Sequence, residues 1–183
     1  MNQPGLHPLQ AAGPARETDL QALRALAELT AVRAEEHDPE KLLERSLGTM
    51  VRLAGAQAGA VRVVTSDGAH MRLVASQGLA PEVVAQEQLV PLDCGVCGAA
   101  VSDDAVRQSF ELQHCAAHTG SDYFRSLGTA VVVPLRHMGR VLGAYTLFFD
   151  EKRDTPEELG LLFRSISEHL GMALENTRLL REN

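Results

Sequence analysis

Three cysteines and one histidine hold the spacing in this chain that is richest in chemistry. Cys94 and Cys97 form a C-x2-C pair, Cys115 follows after seventeen intervening residues, and His118 closes the series as C-x2-C-x17-C-x2-H. Two close pairs that converge can hold a tetrahedral zinc ion, and His114 is an alternative fourth ligand. Thiolates also suit an iron–sulfur cluster, in which histidine can stand in for cysteine. Two other readings stand beside the metal: a redox-sensing thiol pair, and thiols that pack as small apolar groups. Cys97 falls at the start of a short helix, where the helix dipole favours a thiolate, so it is the candidate reactive thiol. An odd number of cysteines argues against a disulfide framework.

The elements that must position these groups follow from period and punctuation. Residues 1–16 are rich in Pro, Gly and Gln and read as a leader or linker. Residues 17–37 carry Leu20, Leu23, Leu26 and Leu29 near helical spacing, which predicts a helix. Asp38-Pro39 starts a second helix as N-cap and first helical residue, with an apolar face from Leu42 to Ala54. The period then switches. Ala58–Thr65 and His70–Ser76 flank Ser66-Asp67-Gly68 as a hairpin. Pro81–Gln86 reads as a short helix and Leu89–Leu92 as a short strand. Asp93–Asp104 is a turn feeding a helix, and Ala105–Gly120 has no clean period and reads as a long loop.

Tyr123, Phe124 and Leu127 suggest another short helix. Thr129–Leu135 and Val141–Phe149 form a second hairpin. Thr155-Pro156-Glu157-Glu158 is a capping box that launches a helix over residues 155–183. That helix carries Leu159, Leu162, Ile166, Leu170, Ala173, Thr177 and Leu180, a coiled-coil-like stripe that either packs on the sheet or pairs with a second copy. The fold class is α+β, with a central antiparallel sheet of five or six strands. Helices from both ends of the sequence should cover one face, and short helices and loops the other. The core domain is expected over 38–154.

Composition bounds the function. The chain has 183 residues with 45% apolar and 22% charged residues, which is globular composition. A net charge of −7 argues against nucleic acid as a partner. No apolar run approaches the length of a membrane span, and the N-terminus lacks a secretory pattern, so the expected location is the cytoplasm.

Four ordered blocks resemble the GAF domain family across roughly residues 38–180: Gly95–Ala100 (GVCGAA), Gly128–Leu135 (GTAVVVPL), Gly139–Leu147 (GRVLGAYTL) and Gly171–Leu179 (GMALENTRL). The Cys-Gly segment ahead of the VPL strand resembles the input domains of nitrate/nitrite-type, NarX-like sensor histidine kinases. The resemblance implies a non-catalytic sensory module of a two-component system. It implies a homodimer joined through the terminal helices, and a downstream kinase region with its response regulator. The parent protein would be anchored in the inner membrane. It also implies a small-molecule pocket between the sheet and the short helices, where Ser109, Gln113, His114, His118, Tyr123 and Arg125 lie. Cys97, Cys115, His114, Tyr123 and Arg125 are the ligand-binding or redox candidates, and an anion would want Arg125.

A second resemblance is to free methionine sulfoxide reductases, GAF-fold enzymes that would use Cys97 and Cys115. Those enzymes carry acids on the strand matching Tyr145–Phe149, and this strand has none. A bilin or cyclic-nucleotide receptor is a third option on the same fold, and 4% aromatic content offers little to line a bilin pocket.

Overall fold

The computed structural model describes residue 24, residues 38–120 and residues 122–182, with side chains described outside residues 118, 119 and 176–182. The leader over 1–16 lies outside the described residues. So does the helix expected over 17–37, except for Arg24, which is helical.

Helix α1 spans Pro39–Ala54. Asp38 Oδ1 accepts a hydrogen bond from the Glu40 amide at 3.0 Å, Pro39 sits in the first turn, and Gly55 ends the helix at φ 63°. These are the start and stop devices expected from the sequence. Strands β1 (Ala58–Val64) and β2 (His70–Gln77) form the first hairpin. Helix α2 (Pro81–Gln86), strand β3 (Leu89–Pro91) and helix α3 (Gly95–Asp103) follow. The stretch 105–120, expected as a loop, holds strand β4 (Arg107–Ser109) and helix α4 (Gln113–Thr119). Both are too short to show a period, and β4 is a polar edge strand with no apolar alternation. A 3-10 turn at Tyr123–Ser126 leads into β5 (Thr129–His137), β6 (Arg140–Phe149) and the long helix α5 (Glu157–Glu182).

The sheet has six strands in the order β3-β2-β1-β6-β5-β4, and every neighbouring pair is antiparallel. This is the α+β arrangement expected. The N- and C-terminal strands of the core meet at its centre, with Ala58 opposite Phe148 and Val63 opposite Gly143.

Alternation divides the strands between two cores. Val61, Val131, Val133, Leu135, Tyr145, Leu147 and Phe149 face α1 and α5, packing on Leu43, Leu47, Met50, Phe163, Ile166 and Leu170. Ala58, Ala60, Leu73, Ala130 and Phe148 face the short helices, with Val83, Leu112, Ala116 and Phe124. Met71, Val132 and Ala144 meet Cys94, Cys97, Ala100 and Val101 on that second face.

One detail of α5 departs from expectation. Thr155 does not cap it. The Thr155 hydroxyl and amide both donate to Gln108 Oε1, at 2.6 and 2.8 Å, which ties the approach to the helix to β4. The first helical turn is closed by the Pro156 carbonyl, which accepts from the Leu159 and Gly160 amides. Of the two readings of the α5 stripe, the first holds for Leu159, Leu162, Ile166, Leu170 and Ala173, which pack into the domain's own core. Gly171 lets the helix lie on β5, since a Cβ there would fall 2.1 Å from the Arg136 carbonyl oxygen.

The turn between β5 and β6 is Met138-Gly139, both with positive φ, 49° and 75°. This is the primed two-residue hairpin turn, and Met is a poor occupant of its first position. Met138 is 91% exposed, so nothing packs its side chain there. Met138→Asn is expected to raise stability by about 0.5–1 kcal/mol. A urea midpoint that does not move upward would count against this account of the turn.

Candidate functional site

The site is built on the sheet face covered by the short helices. Its polar centre is Arg62, which interrupts the apolar strand β1. Arg62 is 3% exposed, and its Nη2 donates to Glu87 Oε2 at the C-terminal end of α2. Opposite Val61 and Arg62, β2 carries an extra residue, Val74, so that Ala75 and Leu73 pair across the step. Val83, one turn earlier on the Glu87 face of α2, is fully buried. Arg62 Nε and Nη1 are buried and have no hydrogen-bond partner among the described residues.

The GVCG segment forms the first turn of α3. Gly95 adopts φ 47°, and a Cβ on Gly98 would fall 2.4 Å from the Leu92 carbonyl oxygen. Gly98 therefore answers to close packing of α3 against the turn before it, and Gly95 to its positive φ and to His114 beside it. Cys94 is the N-cap residue of α3, and Cys97 lies in its first turn. Cys97 is buried and its sulfur is 3.4 Å from Thr146 Oγ1 on β6. Helix α4 brings Cys115 and His114 to the same region. A Cβ on Gly95 would fall 3.1 Å from His114 Cδ2.

All three cysteines are free thiols. Burial pushes the Cys94 thiol up to about 11 and the Cys115 thiol up to about 12, and the charge of neighbouring thiols and of Glu87 adds to the rise. Arg62 acts in the opposite sense on both. The thiols and the Arg62–Glu87 pair thus share one electrostatic environment. At neutral pH, Cys94 and Cys115 are protonated.

The sign of the linked stability follows. Each thiol has a folded-state value raised above its ordinary 9.0. The folded state therefore binds the proton more tightly, and its stability is intact below pH 9. Stability falls as pH rises from about 9 toward 11, where the unfolded chain ionises first. Urea midpoints of the native chain should decline across that window. The Cys94→Ala/Cys115→Ala variant should lose that part of the decline. Equal slopes in both proteins would contradict the buried, protonated thiols.

The other sequence candidates separate. Tyr123 donates from its hydroxyl to the Gly78 carbonyl at 3.3 Å and stacks edge-on against Phe124, 5.4 Å between ring centres. It fastens the covering layer to the end of β2. Arg125 is 68% exposed and lies 3.7 Å from Asp122, a surface ion pair that makes little net contribution. Its segment points it outward into solvent, away from the buried face of the sheet. Ser109 exchanges hydrogen bonds with the Glu111 backbone and closes a turn. Gln113 is exposed. The side chain of His118 lies outside the described residues. Among the described residues, no three of His, Cys, Asp and Glu gather in a way that could hold a metal ion. Cys94, Cys97, Cys115 and His114 therefore do not form a ligand set in this arrangement. Cys94 and Cys97 pack under one part of the sheet, and Cys115 packs in the neighbouring cluster.

Sequence reasoning missed Arg62 and Glu87. The signal was present in part, since Arg62 is the lone charge inside Ala58–Val64. Its partner could not be read, because the two residues meet only when α2 folds over the sheet.

A family model described as the GAF domain matches residues 36–175. Among solved structures, the GAF domain of a phosphoenolpyruvate-protein phosphotransferase from Coxiella burnetii superposes with a TM-score of 0.76 at 16% identity, covering 90% of this chain and 98% of that one. Free methionine-R-sulfoxide reductase from Neisseria meningitidis, in complex with its substrate, gives 0.74 at 19% identity over 96% and 99%. The second GAF domain of DevS from Mycobacterium smegmatis gives 0.64 at 20% identity over 79% and 99%. These identities carry the fold. A search of curated proteins by sequence returns no match. No helix among the described residues is long and apolar enough to cross a membrane.

Proposed function

The chain belongs to the GAF domain family, and from that premise we propose that it is a sensory module that binds a small ligand and is not itself a catalyst. One observation carries the reading: a buried, incompletely satisfied guanidinium lies on one sheet face while α5 lies on the other face of the same sheet. Strand β6 joins the two. Thr146 meets Cys97 on the ligand side, and its neighbours Tyr145 and Leu147 pack in the core that holds α5. A ligand that repositions α3 acts on β6 directly and on α5 through alternate residues of one strand. In this reading α5 is the output helix of a homodimer, and the parent is a two-component sensor kinase of the nitrate/nitrite type. The Cys-Gly segment before the VPL strand supports that finer assignment by resemblance.

The reductase is the competing reading, favoured by the fold likeness and by Cys97 and Cys115 near one another's field. Against it, the β6 residues on the ligand face are Ala144, Thr146 and Phe148, with no acid among them. The Cys94 and Cys115 thiols are also held protonated. Incubation with free methionine sulfoxide and a thiol reductant decides between the two. No turnover is expected. Turnover lost in Cys97→Ala would overthrow the sensory reading.

A further inference from the structure

We propose that Arg136 couples the two layers of the domain by tying the end of α3 to α5 around the open edge of the sheet. The inference rests on the sensory reading above and deepens it, since it names a side chain through which movement of α3 reaches the output helix. Strand β4 pairs only with Ala130–Val132 of β5, so β5 is the outermost strand from Val133 to His137. Beyond β4, a long side chain on β5 can reach the layers on both faces. Val131, Val133 and Leu135 face α1 and α5, so Arg136 leaves β5 on the side of α3. There its Nη1 donates to Asp104 Oδ2 at 2.7 Å. Its Nε lies 3.4 Å from Glu168 Oε1 on α5, and Arg164 Nε approaches the same oxygen at 3.9 Å. The Arg136 side chain is 16% exposed, so solvent screens these contacts less than it screens an ordinary surface pair.

Both ends of the tie are fixed. Asp104 closes α3 with φ 49°, and its amide donates to the Ala100 carbonyl. Its Oδ1 is buried without a hydrogen-bond partner among the described residues, so the Arg136 bond is what holds this carboxylate there. At the other end α5 is seated on β5. Ser167 Oγ donates to the Pro134 carbonyl at 2.5 Å, and Gly171 lets the helix backbone approach the Arg136 carbonyl. Glu168 is thereby set beside the Arg136 side chain. A guanidinium is planar and rigid, so its nitrogens cannot move independently. A shift of α3 that carries Asp104 tilts the guanidinium and alters the Nε contact with Glu168. Cys97 lies in the first turn of the same short helix. An event at that turn thus reaches α5 by a route separate from β6.

The test is hydrogen exchange on the full chain, read in α5 around Glu168 and measured against exchange in α1, so that a change in global stability cancels. Asp104→Asn keeps the left-handed cap, which asparagine tolerates, and removes the charge that Arg136 holds. It is expected to speed exchange around Glu168 by about threefold. In an Arg136→Met background the same substitution should leave α5 unchanged. Near-ultraviolet dichroism checks that Arg136→Met is folded. Should it not fold, Arg136→Lys takes its place, since an ammonium keeps the charge without the fork that joins the two carboxylates. Asp103→Asn is the control. Asp103 lies one residue earlier and pairs with Arg107 at the surface, so its loss should not reach α5. The inference is overturned if α5 exchange ignores Asp104→Asn, responds equally to Asp103→Asn, or still responds to Asp104→Asn when Arg136 is replaced. Turnover of methionine sulfoxide is a separate outcome: it would sink the sensory reading and leave the Arg136 tie standing.

Discussion

Glu87→Leu is expected to destabilise the domain by about 3–5 kcal/mol, more than most single changes elsewhere in the chain. The substitution adds apolar surface in an apolar setting and should be mild on volume alone. The damage comes from Arg62, whose guanidinium stays charged and 3% exposed after the Glu87 carboxylate has gone. Water does not reach Nε or Nη1 to compensate, because neither atom is accessible. Following Glu87→Leu with Arg62→Met should therefore recover most of the loss, since an apolar pair of similar volume replaces a buried ion pair at little net cost. Urea unfolding of the two single variants and the double variant gives the coupling directly. If Glu87→Leu loses less than about 1 kcal/mol, solvent reaches the pair and it is a surface bridge in energetic terms.

Phe163→Ala should cost about 3–5 kcal/mol, while Leu161→Ala, two residues earlier on α5, should change stability by less than about 0.5 kcal/mol. Phe163 is 1% exposed in the core formed with α1 and the sheet, whereas Leu161 is 61% exposed. The contrast fixes which face of α5 holds the domain together. It also changes how dimer formation must be examined. Leu170→Glu would place a carboxylate at a position only 4% exposed and unfold the domain, so it cannot report on an interface. Leu161→Glu leaves the core untouched. Sedimentation of that variant beside the native chain tells whether the outer face of α5, with Leu161 and Met172, takes part in pairing.

Much of this fold was legible because local chemistry and global packing agree. Asp38-Pro39 could only begin a helix, and Gly68 and Gly139 sit at hairpin turns with positive φ. The continuous apolar run Thr129–Leu135 matched the two-sided burial of β5. The failures have a common physical cause. Each concerns a residue whose partner lies far away in sequence. Thr155 has the side chain of a helix cap, yet Gln108 takes both its donors. Strand β4 exists because β5 offers an edge, with Arg107 opposite Val132, and nothing in its own three residues demands it. Arg62 shares the sheet face of Ala58 and Ala60 by simple alternation, and its partner Glu87 comes from α2, which folds over that face.

The pairing of β1 with β6 at the middle of the sheet has a consequence for how the chain is made. Ala58 must wait for Phe148, and Arg62 for Ala144, so the two central strands are separated by nearly the whole domain. On a ribosome delivering residues in order, the first hairpin emerges long before its main partner exists. Until then its inner edge is unpaired, and the apolar faces of Val61 and Ala60 are open to other nascent chains. Most of the long-range contacts then form together once β6 and α5 appear, late and cooperatively, as expected of a topology rich in distant contacts. A chain arrested before β6 would hold β3-β2-β1 and β5-β4 as two separate pieces, each with an open edge where β6 belongs.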